Sequence, residues 1–572
     1  MSQNDDSAAK ALLDRLGQHG IRFLFANSGT DFAPVIEAYE SASQTMLSDW
    51  PRPLTIPHEN LAVGMAHGAF LATGEVQAVM VHVNVGLANA VMGLINARSD
   101  EVPLVMLAGR TPLTAFQRHG ARMTPIQYGQ EMYDQSAMVR EVTKWDYELR
   151  YGEQTIDAVD RAVQMATSSP MGPVFLGLPR EPLAEPITGG RRTDHVLPAR
   201  LSPPGTTPAE IEWLADKLMK AKTPLIICQR GGAADGLGQA IADFAERYGV
   251  AIVEPFAIHN LIGSDHPCHL GYQLGGLLED SDLIMVIESP VPWIQRFTVP
   301  PENACIVHVG ADPLQSHLPM HNFPASRVIA ANATEVLNDV KACLDRMECP
   351  PERLTDRRSA IEMKVADERS RRATVMSMAK VAKTISPALL GDRLTRHLDV
   401  DTLVFSEMGP PLGFVRPRYG KQWHCPPYSG GLGWGVPAAL GAKLADRTKR
   451  VVACVGDGSY IFANPLACHQ VAAALEVPIL IIILNNGSWN ATRRAVNNMY
   501  GDGQAAAKEN PVLTDLSPAP NLEAMTAVFG GNFTKVEHPA NLDEALNNAF
   551  RLMDQTSLTT ILEVVVTKTD GF

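Results

Sequence analysis

Two loops in this chain carry oxygen ligands at the ends of apolar runs. Gly456-Asp457-Gly458 closes the run RVVACV (450–455), and Asn485-Asn486-Gly487 closes the run ILIIIL (479–484). A helical segment of about 20 residues lies between them, so the pattern reads strand, helix, strand. Two parallel strands joined in this way bring both loops to one edge of a sheet, where open α/β sheets bind ligands. The carboxylate of Asp457 and the side-chain amide of Asn486 then meet there, with backbone carbonyls beside them. Such hard oxygen donors suit Mg²⁺, which takes a few protein oxygens and completes its shell with phosphate oxygens. The plainer alternative is an ordinary βαβ unit with Gly-rich turns.

A second group of reactive residues lies near the N-terminus. His58-Glu59-Asn60 opens the segment LAVGMAHGAFLATG, in which Gly64 and Gly68 stand four apart and leave a smooth helix face for close packing. Glu59 falls in the first turn, where the helix dipole favours a carboxylate. Taken alone it reads first as a helix-capping acid. His82 ends the apolar run VQAVMVH (76–82) and enters a Gly/Asn loop, a position suited to a functional side chain.

The elements that must position these residues fall into three blocks of alternating strand-like and helix-like patterns. The first runs over 1–190 and contains IRFLFA (21–26), PLVMLAG (103–109) and PVFLGLP (173–179). The second runs over 205–345, and the third over 380–572. A Gly-, Pro- and Arg-rich linker separates the first two, and a charged helical connector from Pro350 to about Ser377 separates the second and third. Each block is expected to be a doubly wound α/β domain with a parallel sheet. The first and third share a similar pattern.

Composition narrows the function classes. With 572 residues, 45% hydrophobic and 19% charged, this is globular material with room for several cores. A net charge of −13 leaves no basic footprint for nucleic acid. The longest apolar runs are too short to span a membrane, and the N-terminal MSQNDDSAAK is unlike a signal peptide. Eight scattered cysteines without a C-x-x-C pair fit a reduced, cytoplasmic setting.

The GDG…NN pair resembles the diphosphate-binding signature of thiamine-diphosphate enzymes. Over nearly the whole chain the sequence is similar to the acetohydroxyacid synthase / benzoylformate decarboxylase family. FANSGTDFAPVI (25–36), VHVNVGLANAVMGLINA (81–97) with its H-x-x-x-G-x-x-N-A stretch, and SGGLGWGVPAALGA (429–442) carry the match. The resemblance implies thiamine diphosphate and Mg²⁺ as cofactors, with Asp457 and Asn486 binding the metal by side chain and Ser488 by its carbonyl. It implies that Glu59 hydrogen-bonds the aminopyrimidine and activates the cofactor. Thr30, His82 and Gln130 fall on positions near the reacting centre, His82 for proton transfer or contact with a substrate carboxylate. Gly456, Gly458, Ser459, Glu407, Gly409 and Leu432 are cofactor contacts by the same pattern, Leu432 being the bulky residue beneath it. Met408, Trp489 and Asn490 are candidate substrate-pocket walls, with plain loop packing as the alternative. The implied first domain binds the pyrimidine, the middle one is Rossmann-like, and the third binds the diphosphate. The two halves of one site come from different subunits, so a homodimer or homotetramer is expected.

The implied reaction is non-oxidative decarboxylation of a 2-oxo acid through an enamine. An acetohydroxyacid-synthase-like carboligase is the alternative, and a 2-hydroxyacyl-CoA lyase or a non-catalytic relative comes after it. The spacing of 29 positions from Asp457 to Asn486 is slightly longer than the family pattern. Gln295, in SPVPWIQRF (289–297), stands where benzoylformate decarboxylases have a second histidine. Losing that acid would slow protonation and favour capture by a second carbonyl. Arg230-Gly231-Gly232 and Asp312 occupy positions that hold FAD or ADP in some relatives. The fuller FAD pattern is missing, so an empty middle domain is expected. Gly433-x-Gly435-x-x-Ala438 is not a dinucleotide fingerprint, because no strand leads into it and no matching acid follows. Few residues follow Thr567, whereas CoA-dependent relatives extend further, which disfavours a CoA thioester.

Overall fold

Strands covered by helices on both faces need no polar side, so near-continuous runs of Val, Ile and Leu become parallel strands. The computed structural model describes residues 7–187, 196–231, 236–347 and 350–568. Part of the first linker, the first six residues and the last four lie outside it.

The first sheet contains β1 (Phe23–Asn27), β2 (Arg52–Thr55), β3 (Gln77–Val81), β4 (Leu104–Arg110), β5 (Asp146–Glu148) and β6 (Val174–Pro179). The central sheet contains β7 (Pro224–Cys228), β8 (Ala251–Val253), β9 (Leu283–Ile287), β10 (Cys305–Gly310) and β11 (Arg327–Ala330). The third contains β12 (Thr402–Glu407), β13 (Trp423–His424), β14 (Arg450–Gly456), β15 (Leu480–Asn485), β16 (Asn532–Val536) and β17 (Thr560–Val565). The strand orders are β2-β1-β3-β4-β6-β5, β11-β10-β9-β7-β8 and β13-β12-β14-β15-β17-β16. Every strand pairing is parallel. The first and third sheets therefore share one topology, and the three α/β domains expected from the sequence are present.

In each sheet the order reverses beside one strand pair, and such a switch point leaves a crevice at the carboxyl ends of the strands. The pairs are β1/β3, β7/β9 and β12/β14. The residues leaving them are Asp31 and His82, Arg230 and Glu288, and Met408 and Asp457. All of the chemistry expected from sequence lies on or beside these three edges.

The helical segment after β14 is not one helix. It divides into Asp457–Phe462 and Pro465–Ala474, with Asn464 between them at φ +55°. A proline at the first helical position lacks only an N–H that would be unbonded anyway, so Pro465 starts the second helix cleanly. The connector is a 31-residue helix, Pro351–Val381. No helix among the described residues is long and apolar enough to cross a membrane.

The first and third sheets are joined where helix Glu59–Thr73 crosses helix Gly435–Ala445. A Cβ on Gly64 would stand 2.6 Å from Cβ of Pro437. A Cβ on Gly68 would overlap the Ala438 carbonyl, and one on Gly441 would overlap that of Met65. The helices meet backbone to backbone, so even one methyl group must push them apart. Beside the crossing lie His67, His424 and His259, all buried. Burial depresses each imidazole, His67 to about 3, His259 to about 4 and His424 well below 6.5. The carboxyl of Asp100, 3.6 Å from His67, is pushed up to about 8 by burial.

Gly68→Ala is expected to lose about 1–3 kcal/mol by overpacking, more than the ~1 kcal/mol that helix propensity returns. Gly413→Ala, which meets open space, is the control. Urea midpoints of both variants measure the difference. The buried histidines stay neutral when folded and take protons near 6.5 when unfolded, so their contribution is complete above 6.5 and is lost as pH falls towards 3–4. Asp100 acts in the opposite sense, its contribution being lost as pH rises through about 8. The unfolding midpoint should therefore fall steeply as the pH drops from 6.5 to 5. A flat midpoint over that range would contradict the burial of the three imidazoles.

Candidate active site

At the third switch point a crevice of about 160 Å³ opens over the ends of β12, β14 and β15. Met408, Gly409, Leu432, Asp457, Asn486 and Trp489 are among the residues that line it, and Gly456, Gly458, Ser459, Ser488 and Asn490 also belong to its wall. The Asp457 carboxylate accepts the Gly458 N–H at 3.0 Å and the Gly487 N–H at 2.8 Å, which ties the two loops together. Burial raises its pKa against these donors. Asn486 Oδ1 accepts the Ser488 N–H at 3.0 Å, and the Ser488 carbonyl accepts the Asn490 N–H at 2.7 Å. One carboxylate, one amide oxygen and one carbonyl thus converge on the crevice. Among the described residues no cluster of three His, Cys, Asp or Glu offers a metal site. A cation at Asp457 would need oxygens from a bound ligand, which suits Mg²⁺ held partly by phosphate.

Trp489 lies over Gly458, where a Cβ would strike the indole, and its ring meets Phe462 at a centroid distance of 6.2 Å. Met408 stands at φ +59° on the crevice wall, in the left-handed region. Glu407, directly before it, does not face the crevice. Its carboxylate accepts the N–H groups of Gly433 at 2.7 Å, Trp434 at 2.7 Å and Gly435 at 2.6 Å, and also engages the Ser459 hydroxyl. Burial pushes the carboxyl up to about 7 while these donors pull it down. Glu407 therefore caps the helix that begins at Gly435 and shapes the turn behind Leu432. The other side of that turn is fixed from the first sheet, where Asn96 Nδ2 donates to the Gly431 carbonyl at 2.9 Å and Asn96 Oδ1 accepts from Ser429 Oγ at 2.7 Å.

At the first switch point His82 follows β3. Its Nδ1 is hydrogen-bonded to Asp31, which is 2% exposed, and its Nε2 lies 3.1 Å from the Gln130 amide nitrogen. The Asp31 hydrogen bond raises the imidazole pKa most, burial opposes it, and the charges of Asp31 and Glu59 add to the rise. Thr30 is exposed beside Asp31. The helix after His58 is capped by His58 Nδ1, which accepts the Asn60 N–H at 3.3 Å, so the Glu59 carboxylate is not its cap. Instead Asn89 Nδ2 donates to Glu59 at 3.1 Å, and Gly86 leaves room for the carboxylate, which would stand 3.3 Å from a Cβ there. The stretch H-x-x-x-G-x-x-N-A thus has a physical meaning: His82, Gly86 and Asn89 all face one site. Asp31 and Asn89 were not singled out from the sequence. The signal for Asp31 was present, an acid directly after a Gly-Ser/Thr loop at a strand end.

The chain thus groups its residues into two half-sites. Glu59, His82, Gln130 and Thr30 belong to the first sheet, and the described residues that line the third-sheet crevice include none of them. Gln295 is exposed on the central domain and donates to the Asn322 carbonyl at 2.5 Å. At the central switch point Arg230, 4% exposed, pairs with Glu101 of the first domain at 2.5 Å, with Glu288 at 4.0 Å. Gly232 lies outside the described residues.

Three family models match this chain in sequence order. The N-terminal TPP binding domain of thiamine pyrophosphate enzymes covers residues 6–138, the central domain 211–340 and the C-terminal TPP binding domain 412–564. Benzoylformate decarboxylase of Pseudomonas aeruginosa is 26% identical over 497 residues, spanning 84% of this chain and 85% of that protein. The acetolactate synthase large subunit of Lactococcus lactis is 22% identical over 94% of this chain and 90% of its own length. The solved structure of the thiamine diphosphate-dependent 4-hydroxybenzoylformate decarboxylase of Rhodococcus jostii RHA1 superposes with a TM-score of 0.76, over 99% of this chain and 100% of that one at 21% identity. The fold is thus shared from end to end. With one model on each of its three sheets, in the same order, the protein belongs to the thiamine pyrophosphate enzyme family.

Proposed function

We propose that the chain breaks or forms the carbon–carbon bond beside the carbonyl of a 2-oxo acid, without net oxidation, using thiamine diphosphate and Mg²⁺. The observation that carries this reading is Glu59: a carboxylate at a helix start that does not cap its helix, seated over Gly86 and held by Asn89. That is the arrangement a group needs if it is to bond a ligand nitrogen. When bound, the cofactor supplies the carbanion and the electron sink, chemistry that no side chain offers. The residues of the chain bind, orient and move protons around it. Asp457, Asn486 and the Ser488 carbonyl would hold Mg²⁺, and Gly456, Gly458 and Ser459 would border the diphosphate. Gly409 and Leu432 would lie under the ring system, with Glu407 holding the turn that carries Leu432. Met408, Trp489 and Asn490 would wall the substrate pocket, with Thr30, His82 and Gln130 opposite.

The separation of the half-sites within one chain supports a homodimer or homotetramer in which Glu59 of one copy faces the Asp457 crevice of another. The domain assignment follows: 1–190 for the pyrimidine, 205–345 central, 380–572 for the diphosphate. The central domain is read as empty, because Arg230 is paired with Glu101 and Glu288 adds a further carboxylate where a phosphate would sit. Free cysteines at every described position support a reduced cytoplasmic setting. Decarboxylation to an aldehyde is the main reading. Carboligation of the acetohydroxyacid synthase type is the second, favoured by Gln295, which brings no acid and is turned to Asn322.

Glu59→Gln should lower turnover by about 100-fold or more, the scale of general acid–base assistance, with cofactor still bound. Full turnover in that variant would remove Glu59 from the mechanism. Pyruvate and benzoylformate, each offered with and without an acceptor aldehyde, decide between the two outcomes. Free aldehyde as main product supports the decarboxylase, acyloin or acetolactate the carboligase, and consumption of neither acid rejects the 2-oxo acid reading for those substrates.

A further inference from the structure

We infer that Asp31 is a positioning residue for the reaction, holding His82 as the Nδ1–H tautomer so that Nε2 is the atom that gives and takes the proton. This rests on the reading of His82 as a proton-transfer group given above. Four features of the chain converge on the pair. Asp31 bonds His82 Nδ1 through one carboxylate oxygen and accepts the Val83 N–H at 3.3 Å through the other. Val83 stands at φ +32°, where a β-branched residue is strained and persists only if its surroundings fix it. A Cβ on Gly29 would fall on the His82 ring, and a Cβ on Gly109 would fall on the Asp31 carboxylate. Both glycines therefore leave the space that the imidazole and the carboxylate fill.

A carboxylate has no proton to give, so the neutral imidazole must place its hydrogen on Nδ1. The lone pair at Nε2 then meets the Gln130 amide at 3.1 Å. Gln130 can donate its N–H to the neutral ring, or turn its oxygen towards an Nε2–H, so it follows both protonation states. The ionisable groups facing the ring are Asp31 from the turn after β1 and Glu59 from the start of its helix; both are carboxylates and both favour the imidazolium, while burial opposes it. In transfer to the substrate-derived carbon, the Nε2–H bond breaks as a C–H bond forms and the ring returns to neutral. Asp31 stays ionised throughout, and solvent restores the proton. The couple would provide the acid that Gln295 does not.

The test uses the full-length protein and reads His82 directly. Diethyl pyrocarbonate acylates only neutral imidazole, and peptide mass spectrometry resolves the rate at His82 against pH. In the wild type the midpoint should lie above the ordinary value of 6.5, and in Asp31→Asn it should move to lower pH. A wild-type midpoint at or below 6.5, or an unchanged midpoint in Asp31→Asn, overturns the proposal; the first criterion needs no variant to fold. With thiamine diphosphate and Mg²⁺ added, Asp31→Asn should lower kcat and shift the alkaline limb of the pH profile downward. In a His82→Gln background it should cause no further loss, because Asp31 acts through the ring. An equal loss in both backgrounds would make Asp31 merely structural. Failure of the functional reading is distinguishable: no 2-oxo acid is consumed, while the acylation midpoint still moves.

Discussion

Two helices that touch through their backbones are the constraint on which the rest depends. Helix Glu59–Thr73 and helix Gly435–Ala445 approach so closely that backbone meets backbone at Gly68 and Gly441, while Pro437 packs directly on Gly64. Close packing of this kind is stiff, because it holds only at one separation. Each helix begins at a functional point. The first opens with Glu59, and the second opens behind the turn of Leu432, with its first N–H groups on Glu407. Asn96 ties that same turn back to the first domain. The position of the Leu432 turn in one domain is thereby set by the other.

The three switch points show how one topology can serve different ends. Two of them expose polar groups to a crevice. The central one, at β7/β9, is closed by Arg230, Glu101 and Glu288 and joins the central domain to the first. A buried pair of this kind adds little net stability, since desolvation offsets its attraction, but losing one partner leaves a bare charge inside. Its role here is to fix where one domain sits on another. Asp100 and the three neutral histidines lie in the same junction, so the joint is polar inside and depends on proton state.

Much of the fold was legible because parallel strands write themselves as apolar runs. VQAVMVH, PLVMLAG, RVVACV and ILIIIL all became strands; GDG runs from the end of its strand directly into a helix, and NNG leads into the loop after its strand. The strands that were not read, β2, β5, β13 and β16, are all edge strands, short or half exposed, without the continuous run. The single helix expected after Asp457 was broken at Asn464, where a left-handed residue before a proline gives only a two-letter signal. At the site, residue types were legible and partnerships were not. Glu59 and His82 stood out, but nothing in one dimension places Asp31 against His82, since 51 positions separate them. Glu407 was expected as a cofactor contact from the family pattern. Its oxygens turned out to be taken by three backbone N–H groups that only the folded turn brings together.

The glycine crossing also bears on how such a chain can change over generations. A contact made of backbone admits almost no substitution, whereas Met408, Trp489 and Asn490 stand on the crevice wall, outside that contact. If these residues wall the substrate pocket as proposed, drift in them would alter which acid fits without moving Glu59 or Asp457. On the proposed reading, the rigidity of the crossing would leave substrate choice free to diversify, and one scaffold would yield many specificities while its cofactor chemistry stays fixed.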